Sequence, residues 1–100
     1  MLFVLHRVDD PSKTGLRKVV IEEHRQHLRK YAANIMLGGP YMDPDTGGDR
    51  GSMFILEFDT FEEARRFAHD DPYAKAGIFT EIQVWPWTKK AGAFSTEKQV

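Results

Sequence analysis

His69-Asp70-Asp71-Pro72-Tyr73-Ala74-Lys75-Ala76-Gly77-Ile78-Phe79 is the stretch on which the fold turns. Asp71 precedes a proline, and a residue in that position is driven out of the α region, so a helix reaching this point ends here. Upstream, Thr60-Phe61-Glu62-Glu63 is a capping box that opens that helix. Phe61, Ala64, Phe67, Ala68 and Asp71 form its inward stripe at i, i+3 and i+4 spacing. Asp71 is therefore aimed inward, while Asp70 belongs to the surface. Downstream, Ala74-Lys75-Ala76-Gly77 allows one more turn. Residues 80–88 then read as a strand, with Ile82 and Val84 on one side and Gln83, Trp85 and Trp87 on the other.

The same reading extends to the rest of the chain. Residues 1–8 are a nearly continuous apolar run, which suits a central strand covered on both faces, and Asp9-Asp10-Pro11-Ser12 ends it. From about residue 15 to 33 the period becomes helical. Leu16, Val20, His24, His27, Leu28, Tyr31 and Ile35 share one stripe, and Lys18, Glu22, Arg25, Gln26, Arg29 and Lys30 lie opposite. Residues 34–42 form a second strand, in which Gly38-Gly39-Pro40 favours an edge, a bulge or a close approach to the backbone. Residues 43–51 are a loop rich in Asp, Gly and Pro. In the third strand, residues 52–58, Ser52, Phe54, Leu56 and Phe58 face one way and Met53, Ile55 and Glu57 the other.

The order β-α-β-β-α-β is the ferredoxin-like arrangement, an α+β fold with a four-stranded antiparallel sheet and both helices on one face. Two helices cover one face only. Met53, Ile55, Trp85 and Trp87 are then left as an apolar patch, which points to a face-to-face homodimer with the C-terminal tail available to wrap it. Residues 1–88 make the domain, and residues 89–100, polar, small and without period, are a C-terminal tail.

One hundred residues with 41% hydrophobic and 29% charged content describe one ordinary globular domain. A net charge of −1 without a basic cluster speaks against nucleic acid. The absence of cysteine removes disulfides, thiol nucleophiles and thiolate metal sites, and fits a cytoplasmic protein. The apolar start is too short for a signal segment or a membrane span.

Two ionisable residues on inward helix faces, His24 and Asp71, are the candidates for chemistry. A carboxylate that binds one imidazole nitrogen fixes the tautomer and makes the other a better general base. The plainer alternative is a satisfied core histidine beside a helix-terminal carboxylate. A carboxylate at a helix C-terminus opposes the dipole, so stability alone does not ask for Asp71. His24-x-x-His27 is the weaker possibility of a metal pair, with no HExxH or paired acidic motif to accompany it. Backbone N–H groups near Gly39 and the hydroxyl of Ser52 are candidate donors to a substrate oxygen. The aspartates of residues 43–49 fail the spacing of a calcium loop.

These residues together resemble the YCII-related family, small proteins of the dimeric α+β barrel superfamily. The resemblance spans residue 1 to about 87. It rests on Met1-Leu2-Phe3-Val4, Glu22-Glu23-His24-Arg25-Gln26-His27-Leu28, Gly39-Pro40, Gly51-Ser52, the acidic opening of the second helix, Asp71-Pro72-Tyr73-x-x-Ala76-Gly77 and Trp85-Pro86-Trp87. It implies sheet-to-sheet dimers and a pocket with a His-Asp pair, here His24 and Asp71, shaped by Ser52, Pro72 and Tyr73. It also implies an arginine three residues before the histidine; Ile21 stands there, and Arg17 is the candidate substitute for holding an anionic group. Where a reaction is known in the family, it is dehydrochlorination of a chlorinated hydroxyquinol, and sister families include muconolactone isomerases. The expectation is a small cofactor-free lyase or isomerase acting on a small cyclic or quinol-like molecule, with His24 and Asp71 catalytic and Ser52, Gly39, Pro40, Pro72 and Tyr73 binding substrate. The alternative is a non-catalytic homodimeric small-ligand-binding protein.

Overall fold

The structure, a computed structural model, describes residues 1–94. Its elements are β1 (Leu2–Asp9), a 3-10 turn (Thr14–Lys18), α1 (Ile21–Lys30), β2 (Ile35–Met42), β3 (Asp49–Glu57), α2 (Phe61–Asp70), α3 (Pro72–Lys75) and β4 (Phe79–Pro86). The four strands form one antiparallel sheet in the order β2-β3-β1-β4. This is the ferredoxin-like α+β fold that the element order predicts.

β1 is central, yet its burial alternates. Phe3, Leu5, Arg7 and Asp9 are buried, and the residues between them only half so. The expected burial on both faces is corrected here, because α1 and α2 pack on one side alone. On that side Phe3, Leu5, Phe54, Leu56 and Phe58 meet Ala64, Phe67 and Ala68 of α2, with Leu28 of α1 and Tyr31 just after it closing the core. The two alanines let α2 come close to the sheet, and Phe67 fills the space between them. Phe61, expected on the inward stripe, is 39% exposed at the first turn of α2, its ring reaching Phe3 of β1 with centroids 6.1 Å apart.

The single helix expected over 15–33 is split. Residues 14–18 make a 3-10 turn, and α1 begins only after Val20. Val19, Val20 and Ile21 are β-branched and crowd the preceding helical turn, which favours the break. Leu16 consequently leaves the inward stripe and is 38% exposed. The capping box of α2 is present: Thr60 Oγ1 accepts from the Glu63 N–H at 3.2 Å and donates to Glu63 Oε1 at 3.0 Å.

β2 is an edge strand with register shifts near both ends. Gly38 answers the close approach that its motif implied. A Cβ there would sit 2.1 Å from the ring of Phe54. In the following turn, Asp43 accepts from Arg50 and from the N–H groups of Asp45 and Thr46, which hold its carboxyl down to about 2.

The other sheet face is less open than expected. Ile55 is 3% exposed, Met53 and Trp87 are half-buried, and only Trp85 stands out at 60%. The reason lies in residues 89–94, which fold over this face; Lys89, Ala91, Gly92 and Phe94 join Leu37, Met53, Ile55 and Trp87 around an apolar hollow. The rest of the expected tail, residues 95–100, lies outside the described residues. Among the described residues, no helix is long and apolar enough to cross a membrane.

Candidate functional site

The site grows from the break between α2 and α3. Pro72 stops α2, so Asp71 takes an extended conformation and begins a new short helix. Its Oδ1 accepts from the Tyr73 N–H at 2.9 Å. The unfavourable position at the end of α2 is thus also a favourable one at the start of α3. Asp71 is 0% exposed, and the inward direction read from helical phase is correct.

Three groups converge on this carboxylate. His24 Nδ1 lies 2.8 Å from Oδ1, and Arg7 Nη1 donates to Oδ2 at 2.9 Å. Burial pushes the Asp71 carboxyl up, but the bond from His24, the Arg7 charge and the Tyr73 N–H together hold it below the usual carboxylate range. An ionised carboxylate only accepts. Nδ1 of His24 therefore carries the hydrogen, and a neutral imidazole keeps its lone pair on Nε2. Tyr73 lies flat on the His24 ring, with centroids 3.7 Å apart and planes 6° from parallel. Burial raises the Tyr73 phenol, against the opposing charge of Arg17.

Arg7 is the residue that sequence reasoning missed. It is 1% exposed, toward the C-terminal end of β1, with its guanidinium 4.4 Å from the ring centre of Phe79 and 5.5 Å from that of Phe54. Nε donates to Ser52 Oγ at 3.1 Å. Burial lowers its pKa and Asp71 opposes the effect; an arginine remains charged. The available signal was the alternation Phe3, Leu5, Arg7, Asp9, which places Arg7 on the core face.

In front of His24 lies a cavity of about 140 Å³, lined by Arg7, Arg17, His24, Ser52, Phe54 and Tyr73 together with Leu28 and the Gly38-Gly39-Pro40 edge. Of the expected binding residues, Ser52, Gly39, Pro40 and Tyr73 meet it. Pro72, the first residue of α3, is not part of the lining, and neither is Asp71, which reaches the cavity through His24 and Arg7. Arg17 lies at the wall, bound through Nε and Nη2 to both oxygens of the buried Asp9 at 2.8 Å each. His27 is elsewhere. Its Nε2 donates to the Phe67 carbonyl at 2.9 Å and its ring stacks on Phe67, in the seam between the helices. Among the described residues, no three His, Asp or Glu side chains gather as a metal ion would need.

A family model for the YCII-related domain matches residues 1–88. The chain belongs to the YCII-related family. Within that family, Protein YciI of Escherichia coli is 31% identical over 96 residues, covering 89% of this chain and 98% of the relative. An uncharacterized protein of Haemophilus influenzae is 29% identical with the same coverage. Among solved structures, the YCII-related chain is similar to a 5-chloro-2-hydroxyhydroquinone dehydrochlorinase (TftG) of Burkholderia phenoliruptrix, in complex with 2,5-dihydroxybenzoquinone. The TM-score is 0.84 and the identity 32%, over 90% of this chain and 96% of that one.

Proposed function

We propose that this YCII-related protein is a small cofactor-free enzyme, a lyase of the dehydrochlorinase type or an isomerase, acting on a small cyclic, quinol-like molecule. The observation that carries the reading is the 2.8 Å contact between His24 Nδ1 and Asp71 in a ring that lines a cavity. Likeness to a dehydrochlorinase supports the reaction class. A cavity of about 140 Å³ suits one ring; larger, drug-sized ligands occupy roughly 300–1,000 Å³.

His24 Nε2 takes a proton from the substrate as general base. The electron pair left behind moves toward a ring oxygen and gives an enolate or phenolate. In the keto tautomer of the ring, where the chlorine-bearing carbon is tetrahedral, collapse of that enolate forms a carbonyl and a ring double bond and expels chloride from the adjoining carbon, so the net loss is HCl and no oxidant is consumed. In an isomerase, the imidazolium returns the proton to a different carbon instead. Asp71 holds the imidazole in its tautomer and stabilises the imidazolium that forms. Ser52 and the Gly39-Pro40 edge hold the substrate. Two copies of the chain pair through the sheet face that carries Met53, Ile55, Trp85 and Trp87, and the exposed Trp85 supports this arrangement. Residues 1–88 constitute the catalytic domain and residues 89–100 a tail.

Chloride release from chlorinated hydroxyquinols, and ring isomerisation of lactones, measured with wild type and His24→Ala, tests the reading. The variant is expected to lose about 100-fold or more in rate on the productive substrate. Equal rates in the two proteins remove His24 as the base, and no turnover in either leaves a ligand-binding protein.

A further inference from the structure

Arg7 has more donors than its protein partners use. Nε is taken by Ser52 and Nη1 by Asp71, and among the described residues Nη2 has no partner. Among the same residues, every wholly buried side-chain nitrogen and oxygen is satisfied. Arg7 is 1% exposed and lines the cavity. Nη2 is therefore left to face the cavity that Arg7 lines. Ser52, 5% exposed, lines the same cavity. Its oxygen accepts from Arg7, and its hydroxyl hydrogen is donated to no described residue.

We infer that Arg7 Nη2 and the Ser52 hydroxyl form an oxyanion site, and that the substrate places there the oxygen on which negative charge develops. The assignment rests on the proposed acid–base role of His24 and names the class of ligand the cavity selects: a one-ring phenolate or enolate. Donors for such a site are most effective when they are fixed before the reaction and lie away from water. Arg7 meets both conditions. Its guanidinium lies against the rings of Phe54 and Phe79, and Asp71 and Ser52 bind two of its nitrogens. Asp71 then serves both sides of the reaction. Oδ1 orients the base, and Oδ2 orients the cation that receives the charge. Because Asp71 already balances Arg7, the resting cavity does not trap every passing anion. Selection comes from the directed donors, Nη2 and the hydroxyl. A neutral phenol fills the same volume without using the positive charge to the full, so the site is expected to discriminate by ionisation and not by shape.

The probe is 4-nitrophenol, whose phenol and phenolate absorb at different wavelengths. Its binding is followed across pH with wild type, Ser52→Ala, Arg7→Lys and His24→Ala. Wild type is expected to bind the phenolate at least about tenfold more tightly than the phenol, the magnitude of one hydrogen bond to a charged group. Bound dye then ionises at lower pH than free dye. Ser52→Ala and Arg7→Lys are expected to reduce that preference, while His24→Ala retains it. Equal affinity for the two forms in wild type, no binding at millimolar dye, or an undiminished preference in both Ser52→Ala and Arg7→Lys overturns the oxyanion site. If Arg7→Lys does not fold, Ser52→Ala alone decides. Phenolate preference together with equal turnover in His24→Ala would instead sink the base and leave the oxyanion site standing. Loss of turnover in His24→Ala without phenolate preference does the reverse.

Discussion

The imidazole of His24 is stacked on the phenol ring of Tyr73, 3.7 Å between centroids and 6° from parallel. The stack and the Asp71 bond act in different directions. Asp71 fixes which nitrogen carries the hydrogen, and Tyr73 fixes the plane in which the other points. Aromatic pairs of this kind contribute about 0.5–1.5 kcal/mol beyond area burial. Tyr73→Phe keeps the ring and is expected to retain most activity. Tyr73→Leu frees the imidazole and is expected to lower kcat by about tenfold at little change in KM, as lost positioning does. Steady-state kinetics of the two variants, with circular dichroism to confirm folding, check this.

Removing the Asp71 charge has a cost in stability that is separate from catalysis. Asp71→Asn leaves the buried Arg7 without its counter-ion. Breaking one side of a buried pair typically costs about 3–5 kcal/mol. Urea unfolding is expected to show a loss of this size at neutral pH. Replacing the exposed neighbour, Asp70→Asn, is expected to change little, since surface substitutions away from special features stay within about ±0.5 kcal/mol.

Acid is expected to destabilise the protein in two windows. Burial lowers the His27 pKa, against the bond to the Phe67 carbonyl. The unfolded chain then takes up a proton below its ordinary value of 6.5 before the folded one does. Stability from this group is full above that value and falls as pH drops through the folded pKa. Asp71, also depressed, contributes stability above its unfolded value of 3.8 that is lost as pH falls through its lower folded pKa. Urea midpoints measured from pH 8 to 3 should decline in both ranges. The upper decline should flatten in His27→Gln, whose amide does not titrate.

Much of this site is legible in the sequence. Helical phase from Phe61 through Ala68 was enough to select Asp71 over Asp70, although Phe61 itself is partly exposed, and the stripe containing Leu28 and Tyr31 pointed His24 inward. Those inferences succeed because i, i+3 and i+4 spacing converts directly into a helix face. Arg7 escaped because a charge near the end of an apolar run resembles the end of the strand. Only pairing with Ser52 and Asp71, far along the chain, makes its burial tolerable. Arg17 was named as a candidate anion anchor, but its two-pronged bond to Asp9 depends on a 3-10 turn that the helical pattern concealed. Residues 89–94 carry no periodicity, so the sequence offered a tail that could wrap this face but not which residues it would cover, Ile55 among them.

Gly38 provides a test of how tightly the cavity wall is built. An added methyl would meet the Phe54 ring at 2.1 Å, and Phe54 is itself buried against Phe67. Gly38→Ala is expected to destabilise by about 1–3 kcal/mol, the usual cost of overpacking. Gly39→Ala, with nothing within 4 Å of the added Cβ, is expected to be far milder. Thermal melts of the pair check the difference.

The most direct test of the His24 site is a crystal structure with 2,5-dihydroxybenzoquinone, the molecule held by the similar dehydrochlorinase. The ring is expected between Phe54 and the His24 imidazole, with His24 Nε2 within hydrogen-bond distance and one oxygen against Arg7 Nη2 and Ser52 Oγ. A ligand seated instead in the hollow between Ile55, Trp87 and Phe94, with the His24 cavity empty, would contradict the assignment.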